Sequence, residues 1–241
     1  MSKQPFLTLA NFVEYATTSS ATRRRAIIEQ YHNPQVYPFN WHGASDAIFA
    51  GRVCADQSVE SLIDSEKVRL KSQITGEGEK DKRINHVLEL VEFLEVSDVA
   101  RVAAGATAIS EPTLPQDMLI EGLTIRVRAN VLLSRQKEGK RFKEFGVAKC
   151  HCLSSQKLDE VSAKAYTVAL NVFAERVLVN ADIQPDLCRV YDLYEDTLHK
   201  APSAQKRLRT LINETAREVC DRWDIVGRRL LERRIDPRKA S

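Results

Sequence analysis

Leu123-Thr124-Ile125-Arg126-Val127-Arg128-Ala129-Asn130-Val131 sets an apolar residue at every odd position and a polar one at every even position. Successive side chains of an extended chain point to opposite faces. The alternation therefore predicts a strand with one buried face and one face carrying Thr124, Arg126, Arg128 and Asn130. Downstream, Lys137-Glu138-Gly139-Lys140 reads as a turn, and Phe142 to Cys152 as a second strand paired antiparallel with the first. Lys157 to Val179 carries apolar residues on nearly every side, among them Val161, Ala165, Tyr166, Leu170 and Phe173, which predicts a helix buried against a sheet. Leu187 to Tyr194 reads as a third strand, turned by Glu195-Asp196 into a short return at Thr197 to His199. A last helix is expected from Ala204 to Arg233, with Leu208, Leu211, Ile212, Val219, Trp223, Val226 and Leu230 on its inner stripe.

Upstream of this unit the period is helical. Phe6 to Tyr15 is a short apolar-periodic segment. Ser19 and Ser20 are placed to cap a helix bearing Arg23, Arg24, Arg25, Ile27 and Ile28, which stops at Asn33-Pro34. A turn containing Tyr37, Phe39 and Trp41 follows, then helices over 42–55 and 57–73, broken by Thr75-Gly76-Glu77-Gly78. A long helix is expected from Lys80 to Ala104, with Ile84, Val87, Leu88, Val91 and Leu94 on one stripe; Pro112 and Pro115 mark a connection. The fold class is α/β (α+β): a helical region over 1–75, then over 76–241 a small mixed sheet flanked by helices. A boundary falls near residue 75 or near residue 110, and the two parts read equally as one continuous domain.

Composition is that of an ordinary globular chain, with 241 residues, 43% hydrophobic and 29% charged, enough to bury a core. No apolar run approaches membrane-spanning length, and the opening Met1-Ser2-Lys3-Gln4-Pro5 lacks a secretory layout, so a soluble cytoplasmic protein is expected. The odd set Cys54, Cys150, Cys152, Cys188 and Cys220 reads as small buried thiols and not as a disulfide framework or zinc site. The formal charge of +3 is uneven: Ala201 to Ser241 holds eleven Lys and Arg against six Asp and Glu. That basic end reads first as a solvated helix face, and the Arg23-Arg24-Arg25 triplet likewise. No Gly-rich phosphate loop, dinucleotide fingerprint, nucleophile elbow, kinase signature, zinc finger or RNA-recognition strand is present.

A hairpin, a buried helix and another strand, preceded by a long amphipathic helix, resembles the core of the PD-(D/E)XK superfamily of restriction-endonuclease-like nucleases. The resemblance covers roughly 80–200 and rests on element order and one lysine. In that family an acidic residue on one strand and an acid-x-Lys motif on the next hold a divalent metal, usually magnesium, while the lysine positions or activates the attacking water. Magnesium needs hard oxygen ligands, and a metal on the phosphate both polarises phosphorus and acidifies water.

On this chain the resemblance puts Asn130 where the family's aspartate is expected, and Gly146-Val147-Ala148-Lys149 in the second motif. Lys149 matches the lysine, and Val147 stands in place of the carboxylate. Val147, Lys149 and His151 share parity and should project together, with Tyr166 of the following helix looking toward the same edge. Asn130 and Lys149, with Val147, are thus the degenerate catalytic positions. Arg126, Arg128, Lys143 and His151 are candidates for nucleic-acid contact, because cations supply most sequence-independent affinity. Arg126 and Arg128 also read as an ordinary solvated strand face, and Lys149 as a strand lysine reaching solvent.

The resemblance implies a nucleic-acid-binding protein, for DNA or RNA, with a catalytically degenerate core and no required cofactor. It further implies work with other proteins in an assembly of antiviral defence or of mobile elements, away from membranes. A second reading keeps the enzyme: a magnesium-dependent nuclease whose acids come from Glu92, Glu95 or Glu144, with Glu89 a further source. A third is a protein–protein scaffold without nucleic acid, using the Tyr37–Trp41 turn.

Overall fold

The structure is a computed structural model that describes residues 4–32, 43–76, 78–110, 114–139, 141–153 and 156–235. The expected Asn33-Pro34 stop and the aromatic turn at Tyr37, Phe39 and Trp41 lie outside the described residues. The chain has an α/β fold in which helices flank mixed sheets.

Its centre is a mixed sheet in the order β2 (Thr107–Ile109), β5 (Val131–Arg135), β6 (Glu144–His151), β8 (Arg189–Asp192) and β9 (Thr197–Lys200), with the two-residue β7 (Asp182–Ile183) also pairing β6. β2 and β5 are antiparallel, as are β5 and β6, with Val131 opposite Ala148 and Leu132 opposite Val147. The chain then crosses through α6 (Glu160–Val177) and returns as β8 parallel to β6. A parallel return needs such a crossover, because a tight turn can join only antiparallel strands.

The sheet is buried on both faces by two cores. On one face Val147, Cys188 and Val190 pack with α6, α1 (Leu9–Thr17), α2 (Ala21–His32) and α7 (Lys206–Ile235). On the other, Val131, Leu133, Ala148, Cys150 and Tyr191 pack with α3 (Gly43–Val53), α4 (Val59–Ser72) and α5 (Gly78–Val96). Each core takes residues from both sides of residue 75. α6 starts where the Asp159 carboxylate accepts the Ser162 N–H at 2.7 Å, an N-cap, and eleven of its residues are buried. β6 fits against the short 3-10 turn at Pro185–Leu187 only because residue 146 is glycine: a Cβ there would lie 2.4 Å from Leu187 backbone atoms.

A second, three-stranded sheet has the order β1 (Phe6–Thr8), β4 (Leu123–Arg126) and β3 (Asp117–Ile120). The hairpin β3–β4 turns at Glu121 and Gly122, both at positive φ (49° and 86°), the backbone of a tight hairpin that matches strand twist.

The structure departs from three expectations. The alternating stretch 123–131 is not one strand: β4 ends at Arg126, the chain bends through Val127 to Asn130, and β5 begins at Val131 in the other sheet. The segment Phe6 to Tyr15 opens as a strand, β1, parallel to β4, before α1 starts at Leu9. The expected long helix divides into α5 and a separate 3-10 turn, Val99–Ala103. The expected second strand, buried helix, third strand, short return and last helix fall within a few residues of their expected ranges, while β2, β3 and β7 match no expected strand.

Candidate functional site

Chemistry concentrates at the C-terminal end of β6. Val147, Lys149 and His151 lie on its α6-facing side, as parity requires. Val147 is sealed in the same core as Tyr166, and the His151 ring meets the Tyr166 ring edge-on, with centroids 5.6 Å apart. Lys149 is half-buried, and its Nζ donates to the Arg128 carbonyl at 2.8 Å. Arg128 has φ +50°, a left-handed backbone that residues with a Cβ adopt sparingly. The ammonium thus sits on the bend that carries the chain from one sheet to the other.

Asn130, the residue just before β5, closes the site. Its backbone N–H donates to the Ala148 carbonyl at 2.9 Å, and its Oδ1 accepts the Cys150 N–H at 2.8 Å. Its Nδ2 donates to Asp46 Oδ1 at 2.8 Å. Asp46 lies in the first turn of α3, where the helix dipole favours a carboxylate. Sequence reasoning missed Asp46: it is 84 positions from Asn130, and no motif links the two. The only signal was an acid early in an expected helix, which many helices share.

His151 is buried, and burial holds its imidazole below the ordinary histidine pKa. The Gln156 carbonyl and Asp192 pull upward, while Lys149 and His199 push further down. Its Nε2 lies 2.6 Å from the Gln156 carbonyl oxygen. Burial also pushes the Tyr166 phenol well up, reinforced by Cys152, Cys150, Asp46 and Asp192, so the phenol is neutral at physiological pH. Asp192, at the end of β8, is buried and accepts from the N–H groups of Leu158, Tyr194 and Glu195 at 3.2, 3.2 and 3.4 Å. These bonds hold two turns.

The remaining sequence candidates fall elsewhere. Glu144 begins β6, five residues and about 17 Å of extended chain from Lys149, and is fully buried between Arg135 (2.7 Å) and Lys137 (3.0 Å). Glu95 of α5 pairs with Lys67 of α4, and Glu92, also on α5, is exposed. These three acids do not converge on Lys149, and among the described residues no group of three or more His, Cys, Asp or Glu is arranged to hold a metal ion. Arg126 and Arg128 do not share a strand face. Arg126 sits in the small sheet, donating to Asp117 at 2.9 Å with its guanidinium 4.8 Å over the Phe6 ring. Lys143 is exposed at the opposite end of β6.

The site is therefore an asparagine clasped to a strand end, a half-buried lysine and one carboxylate arriving from the opposite layer. The carbonyl oxygen through which Asn130 would bind a metal already accepts the Cys150 N–H. Fold and site define a mixed-sheet α/β protein whose strand end holds one half-buried lysine and two carboxylates, Asp46 and Asp192, already engaged in hydrogen bonds. Comparison of the chain with protein-family models, with curated proteins and with solved structures finds no match. Among the described residues no helix is long and apolar enough to cross a membrane.

Proposed function

We propose that this chain is a nucleic-acid-binding protein of the PD-(D/E)XK-like kind that binds without cutting. The observation that carries the reading is that Lys149, donating to the Arg128 carbonyl, and Asn130, accepting the Cys150 N–H, lie at the same end of β6, the positions the resemblance gives to the family's lysine and acid. The order of elements supports it: α5, β2, the β5–β6 hairpin, the α6 crossover, and β8 parallel to β6. Val147 in the core and an amide oxygen engaged by Cys150 favour loss of metal chemistry, while the cation at 149 is retained for phosphate. In this reading the protein works in the cytoplasm within a larger assembly handling foreign or mobile DNA.

A second reading has a specific observation behind it. Asp46 on Asn130 supplies one carboxylate at the strand end, so a weak magnesium-dependent nuclease would use Asp46 with Lys149, not the acids expected from sequence.

The test is binding of the full chain to mixed-sequence DNA and RNA at two salt concentrations, followed by incubation with magnesium or manganese. Retained, steeply salt-dependent binding without cleavage supports the first reading. Cleavage that disappears in both Lys149→Ala and Asp46→Asn supports the second. No binding to either nucleic acid at low salt overturns both and leaves a protein–protein scaffold.

A further inference from the structure

The end of β6 also holds two thiols that nucleic-acid binding leaves without a role. Cys150 and Cys152 point to the same side of the strand, and their Sγ atoms lie 3.2 Å apart, the Cys152 thiol donating to Cys150. Both are buried, Cys152 slightly less (8% exposed against 4%). All five cysteines are free thiols. Cys54 follows α3, Cys188 precedes β8 and Cys220 is on α7, so this pair is set apart by its sulfur–sulfur contact.

Strand geometry alone does not bring such sulfurs into bonding position. Two residues of regular strand span about 6.6 Å between Cα atoms, near the upper end, about 6.8 Å, of what a disulfide tolerates. Here the ladder stops at His151, paired with Asp192, so Cys152 lies past the last ladder pair and can bend toward Cys150. Asn130 holds the other partner still through the Cys150 N–H.

We propose that Cys150 and Cys152 form a redox pair that a hydroperoxide closes to a disulfide. The Cys152 sulfur, the more exposed of the two, attacks the peroxide O–O bond. It becomes a sulfenic acid, and one water leaves when hydrogen peroxide is the oxidant. The Cys150 sulfur then displaces the sulfenic hydroxyl, which departs with a proton as a second water as the S–S bond forms. The two thiols lose two electrons and two protons, and the peroxide is reduced to two waters. A small oxidant is required because burial denies access to a protein disulfide, and burial also pushes the Cys150 thiol well up, which makes closure slow. The bridge would enclose His151 and fix the strand end next to Lys149, so oxidation would act on the site already described, though the chemistry does not depend on what that site binds.

The test treats the full native chain with hydrogen peroxide, then unfolds and alkylates it for intact-mass and peptide mapping. The expected result is loss of two of the five alkylatable thiols, both mapped to Cys150 and Cys152. Dithiothreitol should restore all five, and Cys152→Ser should form no intrachain bridge. The proposal is overturned if native protein keeps all five thiols under conditions in which the urea-unfolded chain loses two. It is equally overturned if the bridge maps to Cys54, Cys188 or Cys220, or if the oxidised form resists dithiothreitol.

Discussion

The two ends of β6 stand within one strand and treat buried charge in opposite ways. At the first, Glu144 is wholly enclosed and its carboxylate meets Arg135 and Lys137; Arg135 also reaches Asp186 at 2.6 Å. At the other, Lys149 is answered by a backbone carbonyl and Asn130 by a backbone N–H; the one carboxylate in contact, Asp46, accepts from the neutral Asn130 amide. An ionised carboxylate in a core is tolerated only when opposite charge and hydrogen bonds compensate its lost hydration. The Glu144 end is saturated in this sense and has nothing left to offer a ligand. Among the described residues Lys149 at the other end forms no ion pair, its Nζ donating to the Arg128 carbonyl, and under the proposed function this is the cation a phosphate would meet.

That contrast can be broken by mutation, most strongly at the closed end. Glu144→Gln should leave Arg135 and Lys137 around a neutral amide and cost about 3 kcal/mol of unfolding free energy, in the range for removing one member of a buried pair. Urea denaturation with an unchanged m-value checks it; a loss below about 1 kcal/mol would mean the cluster is solvated. At the open end Asn130→Asp places a second carboxylate against Asp46. Like charges in contact disfavour joint ionisation, so the variant should lose about 1–2 kcal/mol at neutral pH without divalent ions. Magnesium or manganese should return part of that loss if the restored acid and Asp46 can share a metal. A variant as stable as the parent, with or without metal, would show that the strand end has no memory of a metal site.

Much of this arrangement was legible in sequence, for reasons that particular residues make clear. The β5–β6 hairpin, α6 and β8 follow from two signals that do not interfere, two-residue alternation and a helix apolar all round. Parity correctly put Val147, Lys149 and His151 on one side. The same signal misled between Leu123 and Val131. Leu123, Ile125 and Val127 enter one core while Val131 and Leu133 enter the other. Alternation records that a residue is buried, not in which core, so a bend that preserves parity is invisible to it. β1, β2 and β3 escaped because three or four residues are too few to show a period. Asp46 escaped because its partner lies far along the chain, and Glu144 appeared as a candidate ligand because the positions of Arg135 and Lys137 around it depend on the hairpin register.

A smaller effect separates the role of Lys149 in folding from its role in binding. Lys149→Met keeps the aliphatic stem and removes the hydrogen bond to the Arg128 carbonyl, so it should cost about 1 kcal/mol, the net worth of one such bond. If the cation meets phosphate, the same variant should weaken nucleic-acid binding across sequences and lower the salt slope by about one. Equal stability loss with an unchanged salt slope would assign Lys149 to the bend alone.

The smallest effect is a slope in pH, and it sharpens the contrast from the open end. His151 is held below the ordinary value by burial first, with Lys149 and His199 adding to it and the Gln156 carbonyl and Asp192 opposing. Above about pH 6.5 the imidazole is neutral in both folded and unfolded chains, and the full stability is present. As pH falls from there the unfolded chain takes up a proton that the native state refuses, so stability declines until pH passes the folded value. One such group contributes less than about 1.4 kcal/mol per pH unit. His199 is likewise held low by burial, so His199→Gln serves as the background. Denaturation midpoints between pH 7.5 and 5.5 should fall less steeply in His151→Gln made on that background than in His199→Gln itself. Parallel curves would mean that His151 is reached by water in the folded state, and the end of β6 would then be an open polar edge instead of a sealed strand end with one cation at its rim.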